Sequence, residues 1–295
     1  MRGVVFTEIV CLVFMTGCGC GTEPGTTRAE RVDRDRSSLS TNGIEDLMSM
    51  LGGPPARVIG LLDGPGPEVF GTIERVLVQR SGNVFILDRD GLQLTWFGID
   101  GGFRGVFGRE GEGPGEFRRV KSLAFGAEGE VVVFDSWLRK LVFLVPGESG
   151  LELRSRRIEV PYSANDFCIL NGRLFFHTPG GEKVLQEVTW AGDTLREFGP
   201  SLEFEQGGED LSHLLHRPIG AALRKKRNEG RLLCMDQPEL LVLVAEQMGW
   251  ARAFTPSGTQ VWNVDLPDFH PLHFANPGGT AIAFIPDPES GTIHG

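Results

Sequence analysis

Short apolar runs recur along the chain, and five of them open on a glycine: GNVFILD at Gly82, GEVVVFD at Gly129, GRLFFHT at Gly172, GRLLCMD at Gly230 and GTAIAFI at Gly279. These glycines stand 47, 43, 58 and 49 residues apart. A glycine followed by a run of this length predicts a turn leading into a largely buried strand. A second glycine follows each of the first four: Gly102, Gly150, Gly192 and Gly258 come 20, 21, 20 and 28 residues later, flanked by apolar and aromatic residues. They read as tight turns between two outer strands, because glycine accepts the positive φ that short hairpins need. The 28-residue step predicts an insertion of 8 residues in the fourth unit, around 238–247.

Two glycine series in register over four units predict an all-β chain of four-stranded antiparallel units. A period of about 40–50 residues is that of a β-propeller blade. Strands at 84–87, 131–134, 174–177, 232–235 and 281–284 are then expected at equivalent places. With 295 residues, 40% of them hydrophobic, the chain has material for a large core, and 41 glycines and 18 prolines suit a turn-rich β protein. A formal charge of −10 excludes binding of nucleic acid through its phosphates. The basic run at 224–227 reads as a solvated face or strand edge, where Lys and Arg discourage edge-to-edge pairing.

The amino terminus reads as a targeting segment. Arg2 precedes an apolar stretch from Val4 to Met15 that is too short to span a bilayer. Met15, Thr16, Gly17 and Cys18 resemble a bacterial lipoprotein signal, in which the cysteine is lipidated after cleavage. Residues 1–17 are thus expected to be signal, with Cys18 as the lipid site, and 18–55 a flexible tether, poor in apolar residues. Residues 56–295 are the propeller domain. The expected location is the cell envelope, held to the membrane by lipid. Of the remaining cysteines, Cys168 and Cys234 are read first as small core fillers, with a disulfide as the alternative for an exported chain.

The string GREGEGPGEFRR at 108–119 resembles the blade connection of the bacterial six-bladed β-propeller lipoproteins, relatives of the NHL-repeat propellers. A degenerate copy, GLLDGPGPEVFG, stands at 60–71. In both, glycine and proline make a corner, and Phe117 or Phe70 plugs the gap between blades. The resemblance implies six blades. Counting strands gives four full blades, a partial fifth and an orphan amino-terminal outer strand at 57–60, read as a ring incomplete at its carboxyl end, with a closed five-blade ring as the alternative. Open blade edges would favour self-association.

Site chemistry is sparse. No nucleophile elbow, HExxH pair or phosphate loop is present. Asp88, Asp135 and Asp236 each stand six residues after a repeat glycine, where a second strand should end. Their structural role is a turn carboxylate that accepts backbone amides. Their functional role is an acidic rim at the channel mouth, joined by Arg118, Arg119 and Arg139. His213 and His216, with His270 and His273, form two HxxH pairs in blade connections and are the candidate ligands for a divalent metal; no other cofactor is expected. The reading is a lipid-anchored binding or scaffold module for a protein, peptide or glycan. The alternative is a propeller enzyme of lyase or lactonase type with a metal at the channel face, which the resemblance permits.

Overall fold

The computed structural model describes residues 58–61, 63–64, 66–147, 150–160, 163–202, 218–246, 248–265, 273–275 and 283–285. The signal, Cys18, the tether, His213, His216 and His270 lie outside them. All described strands belong to the compact unit that begins at Ala56.

Four sheets of four strands make up the propeller, each a meander in chain order. Blade 1 holds β1 (Ile73–Val78), β2 (Val84–Asp88), β3 (Gln93–Phe97) and β4 (Phe103–Phe107). Blade 2 holds β5 (Val120–Phe125), β6 (Val131–Asp135), β7 (Lys140–Gly147) and β8 (Gly150–Glu159). Blade 3 holds β9 (Asp166–Leu170), β10 (Arg173–His177), β11 (Lys183–Val188) and β12 (Thr194–Pro200). Blade 4 holds β13 (Gly230–Asp236), β14 (Glu239–Ala245), β15 (Trp250–Phe254) and β16 (Gln260–Asp265). A hairpin of β17 (His273–Ala275) and β18 (Ala283–Ile285) forms the partial fifth sheet. Residues 58–60 are not paired in a strand, so the orphan outer strand expected at 57–60 is not seen among the described residues.

Innermost strands β1, β5, β9 and β13 lie side by side in that order. An up-and-down meander then puts the first and third hairpin turns of every blade on one face. The middle turns and the blade-to-blade connections share the other, the connection face. Gly82, Gly129, Gly192 and Gly258 close hairpins with φ of 92°, 81°, 99° and 96°, and Asn171–Gly172 makes a two-residue turn with both φ positive. In blade 1 the positive φ falls on Gly101, beside the expected Gly102.

Blade 4 corrects the repeat. GRLLCMD is β13, the innermost strand, rather than the second strand that GNVFILD, GEVVVFD and GRLFFHT form. Its first hairpin turns at Gln237–Pro238, with Asp236 paired to Glu239 and no glycine in the turn. Pro238 precedes Gly258 by 20 residues, the spacing of the other blades, so no insertion lies inside blade 4. The extra chain lies between β12 and β13, at 201–229, and includes the helix α1 (Pro218–Asn228). Pro218 suits a first helical turn, and Lys225, Lys226 and Arg227 sit in the last turn, where the helix dipole favours cations. The basic run is therefore helical, not a strand edge.

Why VVVFD shows no alternation is answered by packing. β6 is buried on both faces: Val131 and Val133 meet Phe85, Leu87 and Leu94 of blade 1, while Val132 and Phe134 meet Phe167, Leu174 and Phe176 of blade 3. A third layer joins Phe175, Leu185 and Phe198 of blade 3 to Leu232, Leu241 and Phe254 of blade 4. Cys168 of β9 and Cys234 of β13 cross this layer as a disulfide with Cα atoms 5.7 Å apart, which overturns the core-filler reading.

Both glycine-proline strings fold alike. Leu61 bridges Val69 and Glu110 bridges Phe117, each in parallel. Glu116 accepts from the Gly113 N–H at 2.9 Å and pairs with Arg109 at 2.7 Å; the amide and Arg109 together hold its carboxyl below the usual range. Phe117 is fully buried between blades 1 and 2. Gly108, at φ 106°, leaves room for it: a Cβ there would lie 2.6 Å from the Phe117 ring. From blade 2, the buried Lys140 ammonium donates to the Glu116 carbonyl at 2.7 Å and lies 5.7 Å from the Phe117 ring, locking the connection.

Candidate functional site: a cationic cleft on the connection face

Each inner strand carries a charged residue at its first or second position, Glu74, Lys121, Asp166 and Arg231, and the fold collects these around the axis. Glu74 of β1 is buried and meets Arg231 of β13 at 2.8 Å, Arg89 at 3.6 Å and Lys121 of β5 at 3.9 Å. Arg75 pairs with the buried Asp166 of β9 and donates to Ser122 at 3.2 Å. Asp166 also accepts the Leu232 N–H of β13 at 2.9 Å. Burial opposes the charge on Arg231, but Glu74, Glu246 and Asp166 outweigh it and hold the guanidinium above its usual range. These ion pairs and hydrogen bonds tie all four inner strands across blade boundaries. Breaking a single member would strand a buried charge.

Beside this network, on the connection face, lies a cleft of 440 Å³. Arg119 reaches it from the connection into β5, Lys121 from β5 itself, Ser136, Trp137 and Arg139 from the middle turn of blade 2, and Ser163 and Asn165 from the chain entering β9. Lys225 and Glu229 come from the end of α1. Asn228 seats that helix end: it is buried, accepts the Leu202 N–H at 2.8 Å and donates to Ser201 Oγ at 2.9 Å. Glu229 is already paired with Lys226 at 2.9 Å. The cleft is therefore lined by Arg119, Lys121, Arg139 and Lys225, of which Lys121 pairs with Glu74 and Arg139 is held by the Val160 carbonyl.

Asp135 organises the blade 2 side. Its carboxylate accepts the backbone amides of Arg118 at 2.7 Å, Arg119 at 3.3 Å, Trp137 at 3.0 Å and Leu138 at 2.9 Å. One buried carboxylate thereby sets both backbone segments that blade 2 gives to the cleft. Asp88 does the same in blade 1 for Gly71, Thr72 and Asp90. Arg139 has a positive φ of 51°, as does Leu92 at the matching place in blade 1, so the turn rather than the ligand site demands it. Arg139 also donates to the Val160 carbonyl at 3.0 Å.

The expected acidic rim is corrected accordingly. Asp88 and Asp135 are buried turn carboxylates engaged by amides. Asp236 ends β13 and stands on the opposite face, 3.9 Å from Arg80. Arg119 and Arg139 line the cleft, whereas Arg118 turns to Glu110 at 3.0 Å. In blade 3 the residue six after Gly172 is Thr178, and its neighbour His177, which ends β10, is fully buried; burial pushes its pKa down to about 4 against the pull of Asp166. His273 opens β17, and its three candidate partners lie outside the described residues. Among the described residues no three His, Cys, Asp or Glu side chains gather as a metal site. No helix among them is long and apolar enough to cross a membrane.

No protein-family model matches the chain, and no curated protein matches its sequence. Solved structures do resemble it. Virginiamycin B lyase from Staphylococcus aureus is 15% identical with a TM-score of 0.42, over 71% of this chain and 61% of the other. A Bacteroides fragilis protein provisionally assigned as exported is 11% identical with a TM-score of 0.45, over 70% and 75%. The β-propeller domain of Cps50 (Swd1) from Myceliophteria thermophila is 12% identical with a TM-score of 0.43, over 68% and 58%. The chain thus spans less than two thirds of the length of the lyase. Likeness at this level carries no argument about activity.

Proposed function

We propose that the protein is an exported, lipid-anchored propeller that binds its ligand in the cleft on the connection face. The observation that carries this reading is the exposed Trp137 beside Arg119 and Lys225 in that cleft. A concave site with convergent polar groups is the default place for a ligand on such a scaffold. Export is supported by the Cys168–Cys234 disulfide, a bond that persists in oxidising compartments, together with the signal-like segment ending at Cys18. Cys18→Ala should move the protein from the membrane fraction to the soluble one; unchanged retention would contradict the anchor.

For the cleft, a thermal-shift panel of peptides, neutral and acidic oligosaccharides and inorganic anions tests binding without assuming a ligand class. At least one compound should raise the unfolding midpoint, and Arg119→Ala combined with Lys225→Ala should remove that rise. Shifts that survive the double variant would put binding elsewhere.

A further inference from the structure

His177 is fully buried, and among the described residues neither its Nδ1 nor its Nε2 has a hydrogen-bond partner. Buried polar groups are nearly always paired, so an imidazole left bare marks a place where the fold tolerates a cost. We propose that His177 is the trigger of an acid-sensitive latch. When it takes a proton, the carboxyl-terminal end of α1 lifts from blades 3 and 4, and the cleft loses the wall that Lys225 and Glu229 supply.

The placement of the ring carries this. His177 ends β10, with Asp166 of β9 and Leu185 of β11 as its cross-strand partners. It shares a strand face with Phe175, two residues before it, which packs in the layer between blades 3 and 4. Burial opposes a charge on the ring; Asp166 and the backbone of Asn228 and Gly230 favour one, and Arg252 of β15 opposes it. Asp166 is already engaged by Arg75 and by the N–H groups of Leu232 and Phe167. A protonated His177 therefore calls for water, and water enters only if one wall of its site moves.

The wall that moves is the helix end. On the strand side β10 is paired along its length with β9 and β11, and the Cys168–Cys234 disulfide ties β9 to β13. The end of α1 is held to its surroundings by a few bonds: Asn228 to Ser201 and Leu202, the Arg227 carbonyl to the Trp250 indole N–H at 3.1 Å, and Asn228 Oδ1 to Arg252 at 3.5 Å. Local opening begins where the fewest contacts must break. Two short routes then join His177 to the cleft. Its carbonyl accepts the Asn165 N–H at 2.8 Å, and Asn228 immediately precedes Glu229 in the cleft wall.

Hydrogen exchange of the full chain at pH 7 and at pH 4, corrected for the intrinsic pH dependence of amide exchange, tests the latch. Because the ring titrates at about 4 when sealed and at 6.5 when open to water, opening becomes about a hundredfold more favourable between the two conditions. Amides at 225–232 should lose protection by about that factor, while those of β6 and β7 keep theirs. His177→Phe, apolar like the layer around it, and His177→Gln, polar but without a charge to gain, should each abolish the acid loss at 225–232. The titration of the His177 ring, followed by NMR in the wild type, should coincide with the opening and so tests the trigger even if neither variant folds. Unchanged protection at 225–232, an equal loss in all four blades, or a loss that persists in both variants would overturn the proposal. So would a ring that stays neutral through the pH at which 225–232 open.

Discussion

Replacing Cys168 and Cys234 together by alanine opens a covalent loop with a sequence separation of 66 residues. In the chain-entropy description, freeing a loop of that length lets the unfolded state gain about 4 kcal/mol. Cys168 is buried among Leu170, Phe175 and Leu232, so loss of the two sulfurs adds about 1 kcal/mol for the space left behind. The staple sits where it constrains the chain most. The connections into blades 2 and 3 take 12 and 6 residues, whereas that into blade 4 takes 29. Closure of a longer connection costs more entropy, and the disulfide offsets it at that one junction. For a unit of this size, about 5 kcal/mol corresponds to a midpoint lower by about 10–20 °C. Thermal and urea unfolding followed by circular dichroism would measure it, with wild type plus reductant moving the same way. Peptide mapping without reduction should recover the Cys168 and Cys234 peptides as one species. A variant within about 2 °C of wild type, or alkylation of both thiols in the native protein, would refute the reasoning.

Phe117→Ala removes the plug between blades 1 and 2 and should cost about 3–5 kcal/mol in urea unfolding; a loss under about 1 kcal/mol would mean the ring does not fill that gap. His177 has its pKa lowered from 6.5 to about 4 in the native state, so the unfolded chain binds the extra proton. Its contribution is complete above pH 6.5 and is lost as pH falls toward 4, about 3 kcal/mol in all. The pH dependence of stability in His177→Phe should be flatter by that amount across this window, and identical slopes for the two proteins would contradict the burial argument.

Much of the fold is legible in the sequence because the hairpin turns need positive φ and glycine supplies it. Where another residue turns the chain, the signal fails: Gln237–Pro238 closes the first hairpin of blade 4, so Gly230, which merely starts β13, takes the place of a turn glycine in the pattern. The 20-residue step from Pro238 to Gly258 carried the correct register all along. Burial on both faces also erases alternation in strands such as β6, leaving strand order within a blade unreadable from hydrophobicity alone. The cleft is less legible still. Arg119, Lys121 and Arg139 stand near Asp135 in sequence, but Asn165 and Lys225 join them only when blades 2 and 3 and α1 meet. Charged or polar openings of the inner strands, as in IERV, VKSL and GRLL, were a usable clue to the axial network. Apolar alternation explains a strand's flanks and says nothing of why a charge should begin it.

Hydrogen exchange of the full chain, with and without a saturating compound that raised the midpoint in the thermal-shift panel, tests most directly whether the connection face is the ligand face. Slower exchange is expected at 119–121, 136–139 and 163–165, with the hairpins at Gly82, Gly192 and Gly258 unchanged. Protection confined to those hairpins on the opposite face, with the cleft segments unaffected, would contradict it.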